Sequence, residues 1–202
     1  MGKRILLGGV LGGIAMFIWA FVAHMLLPLG YTGFSEIPNE PPVLAAMQSS
    51  LGQKSGLYLF PGLGLGPQYT TQQRNAAMKN YDQKLAANAS GLLLYHPAGA
   101  QGVTGGKLGK EFITEVLETL LAVFLLAQTR LQSYASRVGF ILLIGIIAAI
   151  TTNIPYWNWY GFPGSYTAAY MTTQIIAYLV AGLVAAAVIK NREPLGFAAA
   201  AK

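Results

Sequence analysis

ILLGGVLGGIAMFIWAFVAHMLL, residues Ile5 to Leu27, contains no Asp, Glu, Lys or Arg. As a helix rising about 1.5 Å per residue it spans roughly 34 Å, enough to cross the hydrocarbon core of a bilayer. A signal peptide is the competing reading. Its apolar core is usually about 7–15 residues long and precedes an A-x-A-like site, and neither feature fits here. The segment is expected to be retained as a transmembrane helix (residues 1–27). The rest of the chain agrees. Of 202 residues, 54% are hydrophobic and only 10% are charged, against about 25% charged in soluble domains.

Three further apolar runs follow: Phe112–Gln128, about Val138–Asn153 and about Tyr166–Ile189. The middle two are near the lower length limit of about 17 residues for a span. The expected fold is an α-helical integral membrane protein, a four-helix transmembrane bundle. A small α/β extracytoplasmic cap is placed between helices 1 and 2. Residues 28–110 form the cap and a Gly-rich connector, 111–190 carry helices 2–4, and 191–202 form a cytoplasmic tail. Lys3 and Arg4, Arg130 and Arg137, and Lys190 and Arg192 all fall on one side if the chain crosses four times. The loop between the last two runs has no Lys or Arg. That asymmetry puts both termini in the cytoplasm and residues 28–110 outside. Lysines in the long outer segment weigh little, because long loops translocate largely regardless of charge.

The composition excludes several classes. There is no cysteine, hence no disulfide and no thiolate metal or cluster site. The net charge of +6 is scattered over loops and tails rather than gathered in a patch, so no nucleic-acid partner is expected. No nucleophile elbow, H-E-x-x-H or phosphate loop occurs, so no catalytic residue is assigned and an enzyme is disfavoured. No cofactor is expected.

The outer segment holds a weak repeat. SGLYLFPG begins at Ser55 and SGLLLYHPAG at Ser90, thirty-five residues later. Each follows a helical stretch, about Pro42–Leu51 and about Thr71–Asn88. Each ends in proline and glycine, so the order is helix, strand, helix, strand. The piece PAGAQGVTGGKLGK then reads as a flexible connector.

NIPYWNWYGFP, residues 153–163, joins runs three and four at the outer interface. Pro155 and Pro163 are expected to stop helix from running through it. Tyr156, Trp157, Trp159, Tyr160 and Phe162 form either an aromatic belt at the membrane surface or a docking surface for a partner or lipophilic ligand.

Polar groups enter the outer half of every run. Glu111, Glu115 and Glu118 lie within about 60° on one face of run two. The helix dipole accounts for Glu111 if it opens that helix, but not for Glu118. Gly9, Gly13, Ala20 and His24 form a second stripe. Its small residues let helices approach closely, and Gly8 and Gly12 repeat the spacing beside them. Asn153 ends run three, and Thr172, Thr173 and Gln174 lie in run four. The outer-leaflet cluster is therefore His24, Glu115, Glu118, Asn153, Thr172, Thr173 and Gln174. Glu118 is expected to bond His24, or Gln174 with the threonine pair. These groups either fix helix packing or line a pocket for a quinone, lipid or metal; a metal would sit on His24 with Glu115 or Glu118, and His96 would join from the loop.

The segments MGKRILLGGVLGGIAMFIWAFVAHMLLPLG, IPNEPPVLAAM, GLYLFPG and YWNWYGFP resemble a group of small four-helix bacterial inner-membrane proteins with no assigned activity. The resemblance implies a bacterial inner membrane and carries over no functional residue. The expected function is a non-enzymatic accessory subunit, or an assembly or scaffold protein, with a protein partner or homo-oligomer and lipid as its contacts. It would dock through the aromatic rim and the cap. A small-molecule-binding membrane protein is the alternative.

Overall fold

The computed structural model describes residues 2–100 and 102–189. The chain forms two compact units, residues 35–102 and the helices on either side of them.

The helical unit opens with α1, Gly2–Phe21, which continues as one π-helical stretch, Val22–Leu26. Leu27 turns extended (φ −105°, ψ 155°), the conformation a residue before proline prefers. The other three helices are α5 (Gly105–Ala127), α6 (Tyr134–Tyr160) and α7 (Gly164–Val188). They run alternately up and down. Gly9 faces Leu120 and Gly13 faces Val116, so α1 is antiparallel to α5. Gly12 meets Ala181 O, and Gly8 meets Ala185 O and the Ile189 side chain, so α1 is antiparallel to α7 as well. Gly182 against Ile141, and Gly145 against Tyr178, set α7 antiparallel to α6.

The glycines of α1 thus serve two neighbours. Gly9 and Gly13 abut the α5 backbone, Gly8 abuts α7, and Gly12 sits between the two, against the Thr119 side chain and Ala181 O. Glycine inside a helix costs about 1 kcal/mol relative to alanine. Close approach of the backbones offsets that cost, because in lipid helices associate through packing and not through water exclusion. Leu126, Val123, Ile141 and Thr119 are fully buried at the centre, packed with Met16, Ala177, Tyr178, Ala181 and Ala185.

Three helices are long and apolar enough to cross a membrane: Gly2–Leu26, Tyr134–Tyr160 and Gly164–Val188. The chain is therefore a membrane protein by length and composition of its helices. α5 carries Lys107, Lys110, Glu111, Glu115 and Glu118 in its first fourteen residues, and that charge sets it apart from the other three.

Several local expectations change. α6 does not stop at Pro155 but runs on to Tyr160, so the aromatic stretch is mostly helix. Pro155 deprives Thr151 O of its usual donor without ending the helix. The helix instead ends at Gly161, which adopts the left-handed region (φ 69°). Gly161 N–H donates to Tyr156 O, and Phe162 N–H donates to the same carbonyl at 3.4 Å, so the chain folds back over the last turn of α6. α5 begins at Gly105, inside the expected connector. Thr104 caps it, its hydroxyl accepting from Lys107 N–H at 3.2 Å. Glu111 is thus the seventh residue of α5, beyond reach of the terminal dipole offered for it above.

The smaller unit contains α2 (Glu40–Leu51), β1 (Gly56–Phe60), α3 (Thr71–Met78), α4 (Tyr81–Ala87) and β2 (Gly91–Tyr95). Pro41 and Pro42 occupy the first turn of α2, where their missing N–H groups cost nothing. The two repeat strands pair antiparallel, Gly56 opposite Tyr95 and Phe60 opposite Gly91. The helix expected over Thr71–Asn88 is two helices. Asn80 leaves the helical region (φ −110°, ψ 7°), and the break aims Tyr81 so that its hydroxyl donates to Pro61 O at 3.0 Å. Thr70 and Gln73 form a capping box on α3. Tyr95 Oη donates to Gly52 O at 2.9 Å, joining β2 to the end of α2.

Candidate functional site: an aromatic row leading to a carboxylate pair

The C-terminal end of α1, the N-terminal end of α5, the C-terminal end of α6 and the N-terminal end of α7 share one end of the helical unit. A row of rings crosses it. Tyr160 lies 5.9 Å from Tyr156, Tyr156 5.4 Å from Phe162, and Phe162 5.3 Å from Tyr166. Tyr166 stacks on Tyr170 at 4.3 Å, and Tyr170 meets His24 edge-on at 6.2 Å. Phe34 packs edge-on against Tyr166 at 5.4 Å. Offset and edge-to-face pairs at these separations are the favourable geometries for aromatic quadrupoles. Trp157 and Trp159 stand beside the row, 50% and 78% exposed.

The row continues inward along α7. After Phe162 in the turn, Tyr166, Tyr170, Gln174 and Tyr178 recur every four residues, which keeps neighbours on nearly one face of the helix. Gln174 Oε1 accepts from Asn153 Nδ2 at 3.2 Å, and the same amide donates to Ala149 O at 2.9 Å. One turn deeper, Tyr178 Oη donates to Glu118 Oε2 at 3.2 Å. Tyr178 is itself buried, its ring seated where Gly145 leaves α6 without a side chain.

The structure thus brings together Asn153 with Gln174, and gives Glu118 a partner different from those expected. His24 is not that partner. Its Nδ1 lies 3.0 Å from Ala20 O in its own helix, and its ring turns to Tyr170. Thr172 is exposed. Thr173 donates to Ala169 O at 2.9 Å, while Thr173 O accepts from Trp19 Nε1 at 2.9 Å. Glu115 is buried with Oε2 unpaired. Thr119, one turn on, gives its hydroxyl to Glu115 O rather than to the carboxylate. His96 belongs to the other compact unit, where it lines an open cleft of about 350 Å³ with Leu44, Gln48 and Tyr95. Among the described residues no three His, Asp or Glu side chains converge as a metal site would require.

Tyr166, Tyr170, Tyr178, Trp19 and Thr119 went unassigned in the sequence. The four-residue recurrence from Phe162 to Tyr178 is the signal that marks three of them. No protein-family model, characterised protein or solved structure matches the chain.

Proposed function

We propose that this chain is a non-enzymatic membrane subunit, an accessory or assembly protein that docks to a larger complex through its aromatic end. The carrying observation is the ring row with Trp157 and Trp159 exposed beside it. A belt residue needs only to lie at the interface. Here the rings are ordered against one another, form one uncharged surface, and leave two tryptophans free. Tryptophan and tyrosine dominate the energetics of protein interfaces, because they bury large rigid area at little entropic cost.

The same reading takes α5 as a fourth span, with both termini cytoplasmic and the smaller unit as an extracytoplasmic cap in a bacterial inner membrane. The side-chain pattern of α5 supports this. Beyond Thr114 its exposed residues are Leu117, Leu121, Phe124 and Leu125, while Glu115 and Thr119 are buried. Polar inside and apolar outside is the arrangement that lipid favours.

Affinity purification of the tagged protein from its native membrane, read by mass spectrometry, tests the docking. Trp157→Ala combined with Trp159→Ala is expected to weaken a partner at least tenfold, on the basis of about 2 kcal/mol or more for each interfacial tryptophan. An unchanged protein partner in the double variant would reject the rim as the docking surface. A bound lipophilic molecule with no partner would favour the ligand-binding alternative instead.

A further inference from the structure

Glu115 poses a question that docking does not answer. It is 7% exposed, its Oε2 is buried, and that atom has no hydrogen-bond partner among the described residues. No ion pair reaches it among the described residues. An ionised carboxylate in such a place must be neutralised or bind a counter-charge.

Its surroundings can be assigned helix by helix. On α5, Glu111 lies one turn toward the helix start and is exposed, and Glu118 lies one turn deeper and is half-buried. From α7, Tyr178 donates its hydroxyl to Glu118, not to Glu115. From α1, Gly12, Gly13 and Met16 face this part of α5, and none is titratable. His24 of the π-helical stretch is committed to Ala20 O and Tyr170. On α6, the guanidinium of Arg137 donates to Gln132 O at the opposite end of the helix. The two inner carboxylates are therefore unequal: Glu118 has a hydroxyl donor that stabilises its anion, and Glu115 Oε2 has none among the described residues. Beyond them the interior is Ala122, Val123 and Leu126, so the acidic stair ends inside the bundle.

We propose that Glu115, one turn from the Tyr178-bonded Glu118, is a binding site for one monovalent cation, a proton or an alkali ion, entering past Glu111. The apolar floor makes it a binding site rather than a conducting path. The site stands independently of the docking surface, since it uses none of the rim residues.

Infrared difference spectroscopy of the full-length protein in lipid nanodiscs, grown with isotope-labelled glutamate, separates the sources. If the cation is a proton, a labelled protonated-carboxyl band is present near neutral pH and disappears as pH rises. Exchanging choline for sodium then leaves it unchanged, and Glu115→Gln removes it. If the cation is an alkali ion, that band is absent, and sodium in place of choline raises the melting temperature. Glu115→Gln abolishes that rise. Should Glu115→Gln fail to fold, Glu115→Asp retains a carboxyl group but loses the labelled band or, in the alkali case, weakens the sodium shift. An ionised Glu115 with no sodium effect on melting would overturn the proposal.

Discussion

Gly13→Leu is expected to abolish the folded bundle. A methyl group built on Gly13 would lie 2.5 Å from Val116 Cα and 3.0 Å from Val116 N. Those are backbone atoms, so no rotamer change relieves the clash; α1 and α5 must move apart. Overpacking a core usually costs about 1–3 kcal/mol when side chains can adjust, and here they cannot. Separation would also strip Gly9 from Leu120 and Gly12 from Thr119, since all three contacts lie along one seam. Thermal unfolding in detergent should show loss of the cooperative transition. Gly139→Ala, at an α6 position with no atom near the added methyl, should melt like the parent. A Gly13→Leu protein with parental melting would show that the α1–α5 seam is not what holds the unit together.

Tyr178 gives the second large effect. Its ring fills the gap left by Gly145, and its hydroxyl serves Glu118. Tyr178→Ala removes both and leaves a cavity, for about 3–5 kcal/mol. Tyr178→Phe keeps the ring and removes only the donor, for about 1–3 kcal/mol. Unfolding free energies of the two variants in one detergent check the order. Equal losses would mean that the Glu118 bond carries the whole effect. No loss for Tyr178→Phe would mean that Glu118 finds another donor.

What was legible in the sequence, and what was not, follows from the range of the forces involved. The long apolar runs at 5–27, 138–153 and 166–189 needed only composition, and each became a helix. The repeated strands were legible because glycine and proline punctuate both copies. Local rules failed where a neighbour or solvent decides. Pro155 looked like a stop, but α6 runs through it, and the stop is set by Gly161. Glu111 looked like a first-turn acid because Gly105, Gly106 and Gly109 disguised the start of α5. Glu118 was expected to bond His24, or Gln174 with the threonine pair, and instead accepts from Tyr178. Its partner depends on how α7 rotates against α5, and that rotation is fixed by Gly145 accepting Tyr178. No spacing within either helix encodes it. The same holds for the aromatic row: its members are spaced four apart in α7, but closure onto His24 and Phe34 requires the fold.

Everything proposed for the outer end rests on α5 crossing the membrane. The chain has no native cysteine, so single cysteines at Gln53, in the smaller unit, and at Gln132, between α5 and α6, report their sides directly. A membrane-impermeant thiol reagent applied to intact cells should label position 53 and leave position 132 unlabelled until the membrane is opened. Labelling of both positions in intact cells would put them on the same side, and α5 would not be a span.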